Sequence, residues 1–191
     1  MPFIGSLLRY NRLSSPYLCC TLSARLKKGS ERRRETMLVL EAIRALLAHT
    51  GVPYRELEHE PTLTSEASAR ARGEELRMGG KALVLKIGER CDVFVLSAAC
   101  KLDSAAIRAH FGIRKLRFVT APELYELTGL VPGSVPPFGR PILPCDLYVD
   151  PSIPANPRIA FNAGSLTHSM ILSMEDYLRI AQPAVFRFAT A

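Results

Sequence analysis

Two apolar runs dominate the pattern of this chain, one within residues 79–88 (Ala82-Leu83-Val84-Leu85) and one within 91–97 (Val93-Phe94-Val95-Leu96). The short Gly88-Glu89-Arg90 break between them predicts a hairpin whose strands lie in the middle of a sheet. Shorter runs at 52–57, 116–119, 146–150, 158–161 and 169–172 predict further strands, and 185–188 an edge strand or a packed tail. Helical spacing first appears in Leu38, Ala42, Ile43, Leu46 and Leu47, which predict a helix over 37–49 with Thr36 as its N-cap and Gly51 at its end. Four more short helices are predicted: one from near Thr64, with Glu66 in its first turn, and one from Ser104 to Phe111, closed by Gly112. The third starts at Thr120-Ala121-Pro122-Glu123 and ends at Thr128-Gly129; the fourth opens at Ser173, with Asp176 three positions on, and runs to about Ala181. Strands outnumber helices and do not alternate regularly with them. The expected fold is α+β, a mixed, partly closed β-sheet surrounded by short helices.

Charge divides the chain. Of the net +7, residues 1–36 hold +6, from eight Lys/Arg against Glu31 and Glu35, which leaves 17 basic and 16 acidic residues for the remainder. Residues 1–35 therefore read as a basic leader, and 36–191 as one nearly neutral domain. The leader has no acidic residue before Glu31. That composition suits a disordered leader, an organelle transit peptide or a start codon chosen too far upstream. The domain is expected to be cytoplasmic, or organellar if the leader is a transit peptide. Five cysteines without a C-x-x-C pair, and four histidines far from them, support neither a zinc site nor a disulfide framework. No stretch approaches the ~20 apolar residues that a membrane span needs.

The chain carries few catalytic motifs. There is no G-x-G-x-x-G after a strand, no G-x-x-x-x-G-K-[ST] and no G-x-S-x-G, so neither nucleotide hydrolysis nor a serine hydrolase is supported, and no cofactor is implied. Lys81 opens the first long strand just after Gly79 and Gly80, where its ammonium is a candidate fixed charge for a carboxylate, a phosphate or a developing oxyanion. Its plain alternative is a solvated strand-end lysine. Gly133-Ser134-Val135-Pro136-Pro137-Phe138-Gly139 combines two prolines with flanking glycines. Such a loop is rigid yet lets a ligand approach its main chain, although a stiff connector has the same composition. Asn162-Ala163-Gly164-Ser165 is a turn whose amides suit an anion-binding nest. His59 is a candidate base or an ordinary hydrogen-bonded group at a strand end.

Six segments in order carry a resemblance: Glu58-His59-Glu60-Pro61, Gly80-Lys81-Ala82-Leu83-Val84, Lys101-Leu102-Asp103, Glu126-Leu127-Thr128-Gly129, the 133–139 loop and Phe161-Asn162-Ala163-Gly164. Together they resemble the YbaK/ProX family, free-standing relatives of the editing domain of bacterial prolyl-tRNA synthetase, over roughly residues 37–183. Phe161-Asn162-Ala163-Gly164 and the run from Asp176 to Pro183 are similar to the YeaK branch. The resemblance implies hydrolysis of mischarged aminoacyl-tRNA, with Lys81 holding the acyl or terminal-adenosine end. It further implies that Gly133 and its loop grip the acyl group by their backbone, and that Asn162, Ala163 and Gly164 line the same pocket. The family has no dedicated side-chain nucleophile, which leaves water or a substrate hydroxyl to assist. Cysteinyl-type members have a tyrosine before the Glu-His pair and an aspartate in the strand after the Gly-rich turn; this chain has Leu57 and Ser169 there. The expected substrate is therefore a tRNA carrying serine, with threonine and alanine as alternatives, and a synthetase is a candidate partner. The competing readings are a non-catalytic module that binds the aminoacyl or tRNA end, and a thiol redox protein using Cys91 or Cys100.

Overall fold

The computed structural model describes residues 38–191, beginning with helix α1 over 38–50, whose Leu40, Ile43 and Leu47 are wholly buried. The leader at 1–35 and the expected cap at Thr36 lie outside the described residues. After α1 come β1 (Tyr54–Glu58), α2 (Ser65–Arg72), a 3-10 turn (Leu76–Met78), β2 (Gly80–Ile87), β3 (Arg90–Ser97) and the short β4 (Lys101–Leu102). The chain continues through α3 (Ser104–Phe111), β5 (Leu116–Phe118), α4 (Ala121–Thr128) and, after the proline-rich loop, β6 (Leu147–Val149). It closes with β7 (Arg158–Asn162), β8 (His168–Ser173), α5 (Met174–Ala181), β9 (Ala184–Val185) and β10 (Ala189–Thr190).

The expected hairpin forms. β2 and β3 pair antiparallel from Gly80↔Ser97 to Ile87↔Arg90 at the centre of a five-stranded sheet ordered β5-β2-β3-β6-β9. Both faces of that centre are covered, which is why the apolar runs are nearly continuous. Val84, Val93 and Val95 face the larger core with Leu40, Ile43, Leu47 and Tyr177, while Leu85, Phe94 and Leu96 face a smaller one with Ile107 and Phe188. Phe94 anchors the smaller core, stacked on Tyr148 with centroids 5.0 Å apart and edge-on to Phe188 at 5.4 Å. β6 and β9 join this sheet in parallel, a pairing that the local pattern does not encode. The 185–188 segment is neither of its two alternatives alone, since Val185 ends an edge strand and Phe188 is packed into the core.

A second sheet, ordered β1-β8-β7, is antiparallel throughout. A parallel bridge between Gly79 and Ala160 joins it to the start of β2, and this seam makes the mixed sheet partly closed. The glycines permit the approach. A Cβ on Gly80 would come within 2.7 Å of Ile159 Cδ1, and one on Gly79 within 2.9 Å of Ala98 Cβ. Among the described residues no helix is long and apolar enough to cross a membrane.

Helix caps match their sequence signals. Thr120 and Glu123 form a reciprocal capping box, Asp103 accepts from Ala105 and Ala106 amides, and Thr64 accepts from the Ala67 amide. At α5, Ser173 accepts from the Asp176 amide as expected, but the Asp176 carboxylate bonds the Ser173 hydroxyl and Arg179 instead of the cap backbone.

Candidate active site

At the seam between the sheets lies a cavity of about 220 Å³. Four stretches supply most of its walls. Thr62, Ser68 and Arg72 come from α2 and the turn before it; Gly80, Lys81 and Leu83 from the start of β2; Gly133, Val135 and Asn162 from the proline-rich loop and the end of β7.

Lys81 is exposed at this cavity, and among the described residues its ammonium has no hydrogen-bond or ion-pair partner. It is therefore a free cation set at the edge of a half-open cavity. Of the seven loop residues singled out by sequence, Gly133 and Val135 line the cavity. Ser134 is buried and holds its own turn, accepting from the Val131 amide and donating to the Val131 carbonyl. Pro136, Pro137, Phe138 and Gly139 are buried behind the wall, Phe138 edge-on to Phe161 and the Pro137 carbonyl accepting from the Tyr177 hydroxyl at 2.8 Å. The stiffness of the prolines thus reaches the cavity through Val135, not through the rings themselves. Gly133 has φ +88°, a conformation that disfavours any side chain.

Asn162 is the junction of the site. Its Nδ2 donates to the Gly133 carbonyl at 2.8 Å, tying β7 to the loop. Ala163 and Gly164 do not line the cavity; the Ala163 amide bonds the His168 carbonyl, and Gly164, at φ +78°, lies against α1, where a Cβ would meet Val39 Cγ1 at 2.8 Å.

The largest element without a sequence signal is Arg72. It is 7% exposed, and its guanidinium donates from Nε to Ser169 Oγ at 2.9 Å, from Nη1 to the Ala160 carbonyl at 3.2 Å and from Nη2 to Asn162 Oδ1 at 2.5 Å. All three acceptors are neutral, and burial pushes its pKa down to about 10, with Glu74 opposing the shift. The basis for seeing it lies in tertiary placement, because α2 is polar in composition and buries Arg72 together with Ser68 and Ala69.

His59 does not line the cavity. Its Nδ1 faces the Glu60 carbonyl at 2.8 Å, which only a protonated Nδ1 can satisfy, and its Nε2 stands 2.8 Å from Ser169 Oγ. The Ser169–His59 spacing is that of a nucleophile and its base. Ser169, however, is wholly buried, held by Arg72 and outside the cavity lining. Ser169 is thus tied into the wall through Arg72 and His59, while His59 itself is half-exposed. Cys145 is buried and its thiol pushed up to about 12 by burial, an inert setting; Cys91 and Cys100 are half-buried beside the two cores. Among the described residues no three His, Cys, Asp or Glu side chains are grouped to hold a metal ion.

Comparison with known proteins covers the same segment. A family profile described as the aminoacyl-tRNA editing domain matches residues 59–180. The multifunctional Ser/Thr-tRNA deacylase ProXp-y of Escherichia coli is 39% identical over 150 residues, spanning 75% of this chain and 89% of the relative. Among solved structures, one described as a candidate trans-editing enzyme for prolyl tRNA synthetase superposes with TM-score 0.69 at 24% identity, covering 80% of this chain and 98% of that one. A hypothetical protein superposes equally well, with TM-score 0.69 at 20% identity, over 78% of this chain and 99% of its own. The two structures share the fold, the profile spans every cavity-lining residue, and on that agreement the chain belongs to the aminoacyl-tRNA editing domain family.

Proposed function

We propose that this chain is an aminoacyl-tRNA deacylase that acts in trans, hydrolysing the ester between a small amino acid and the tRNA 3′ end. The observation that carries the reading is the unpartnered Lys81 ammonium at the edge of the 220 Å³ cavity, opposite a wall fixed by the Asn162–Gly133 bond. The family and the Ser/Thr-tRNA deacylase relative supply its chemical class.

An aminoacyl ester is already activated, so the protein has little covalent work to do. Water attacks the carbonyl carbon, negative charge develops on the carbonyl oxygen, and the ribose hydroxyl leaves with a proton. Lys81 supplies a fixed positive charge for that oxygen, a contribution that grows as water is excluded. Glycines at 79, 80 and 133 let the acyl end approach main chain, which holds the ester in place for attack. Val135 and Leu83 limit the size of the acyl group. Exclusion by a clash is the more effective filter, because a pocket gains only ~1–3 kcal/mol per methylene by attraction.

The test is release of labelled amino acid from tRNAs carrying Ser, Thr, Ala, Cys or Pro, by wild type and Lys81→Ala side by side. Lysine-dependent release of Ser and one or two other small residues is expected. Undiminished turnover by Lys81→Ala would remove the lysine from the mechanism, and binding of charged tRNA without release by the wild type would make the domain a binding module.

A further inference from the structure

The α2 side of the cavity differs from the rest of its wall. Thr62, Thr64, Ser65 and Ser68 place four hydroxyl side chains there within seven residues, whereas β2 and the loop present Ala82, Leu83 and Val135. Thr62 and Ser68 are 8% and 6% exposed, and Ser68 Oγ donates to Thr62 Oγ1 at 2.8 Å.

A hydroxyl has one proton to give and two lone pairs to receive. Ser68 has spent its proton on Thr62. Among the described residues the Thr62 proton has no acceptor and the Ser68 lone pairs have no donor. The pair therefore holds one unspent donor and unspent acceptors at the edge of a cavity that water leaves when an acyl group enters. An incoming hydroxyl answers both. A methyl group answers neither, and leaves the Thr62 proton unsatisfied in a closed site.

We propose that Thr62 and Ser68 read the side-chain hydroxyl of a seryl or threonyl group and so set a preference for hydroxylated over plain small acyl groups. This rests on the deacylase reading above. A pocket built to hydrogen-bond a hydroxyl rejects the analogue lacking it, whereas one lined only by apolar groups separates serine from alanine poorly. The hydroxyl-bearing α2 wall and the apolar side chains of Leu83 and Val135 divide these tasks, the first selecting by chemistry and the second by size.

The experiment measures kcat/KM of the full chain for one tRNA charged with either Ser or Ala, so that the ribose and acceptor end are common to both substrates. Thr62→Val removes the hydroxyl and keeps the shape. The double variant Thr62→Val/Ser68→Ala also removes the donor that the first would orphan, which separates recognition from misfolding. The expected result is a fall in the seryl-to-alanyl ratio of about fivefold to tenfold in both variants, the loss of roughly one neutral hydrogen bond. An unchanged ratio, with both substrates slowed alike, overturns the assignment and moves the pair to the ribose or the frame of the site. A wild type that releases Ala as fast as Ser also overturns it and leaves the deacylase reading intact. Release of neither by the wild type overturns both.

Discussion

Arg72 fixes which way Asn162 points. A guanidinium only donates, so its Nη2, 2.5 Å from the side-chain oxygen of Asn162, forces the amide nitrogen towards the Gly133 carbonyl. Lysine cannot reproduce this, because one ammonium does not span the three acceptors on Ser169, Ala160 and Asn162. Arg72→Lys is expected to lower kcat/KM by about 100-fold, the scale of a small misplacement of a positioned wall. Asn162→Ala should cost a similar amount, and the double variant little more than either single one. Steady-state kinetics on the three variants check this, and fully additive losses would show that the two residues act separately.

Ser169 and His59 have the spacing of a catalytic pair, but Ser169 is wholly buried. Removing a true nucleophile costs on the order of 10⁶ in kcat. Ser169→Ala is expected instead to keep turnover within about 100-fold of wild type, with the loss arising from the unbraced Arg72. Trapping of an acyl-enzyme on denaturation, or a loss near the nucleophile scale, would overturn this.

Asp92 gives the fold a pH dependence opposite to that of most carboxylates. Burial raises its pKa above the ordinary 3.8, with Arg90 working against the shift. One oxygen accepts from the Asp146 amide at 3.3 Å; the other lies 2.9 Å from Arg90 Nε without a hydrogen bond. Above the unfolded value the folded state holds the proton more tightly, so this group's contribution to stability falls as pH rises through the window between the two values. Asp92→Asn has no such loss. Its stability relative to wild type should increase as pH rises above the ordinary carboxylate value in denaturant titrations, and parallel curves would contradict the buried-carboxylate account.

How much of this was legible depends on where each signal is stored. Thr120 with Glu123, Asp103 and Ser173 cap helices through bonds to residues two or three positions away, so local sequence carries them. The β2–β3 hairpin is equally local, two apolar runs joined by a turn. Lys81 and Gly133 were visible because glycines and prolines around them mark backbone that does something unusual. Arg72, Thr62 and Ser68 were not. Each is a polar residue in a polar stretch, and only the docking of α2 onto β7 and β8 buries them. The loop was legible as rigid, but which of its residues would face inward required the partners of Phe138 and Pro137, namely Phe161 and Tyr177.

The bridge between Gly79 and Ala160 joins two sheets, and the cavity takes residues from both, Lys81 from β2 of one and Asn162 from β7 of the other. Neither sheet alone contains a site. A chain that has formed its central hairpin but not yet docked the second sheet is therefore inert, and so is any fragment that ends before β8. Catalytic competence therefore belongs to the joined pair of sheets, and a molecule can police translation only with both in place.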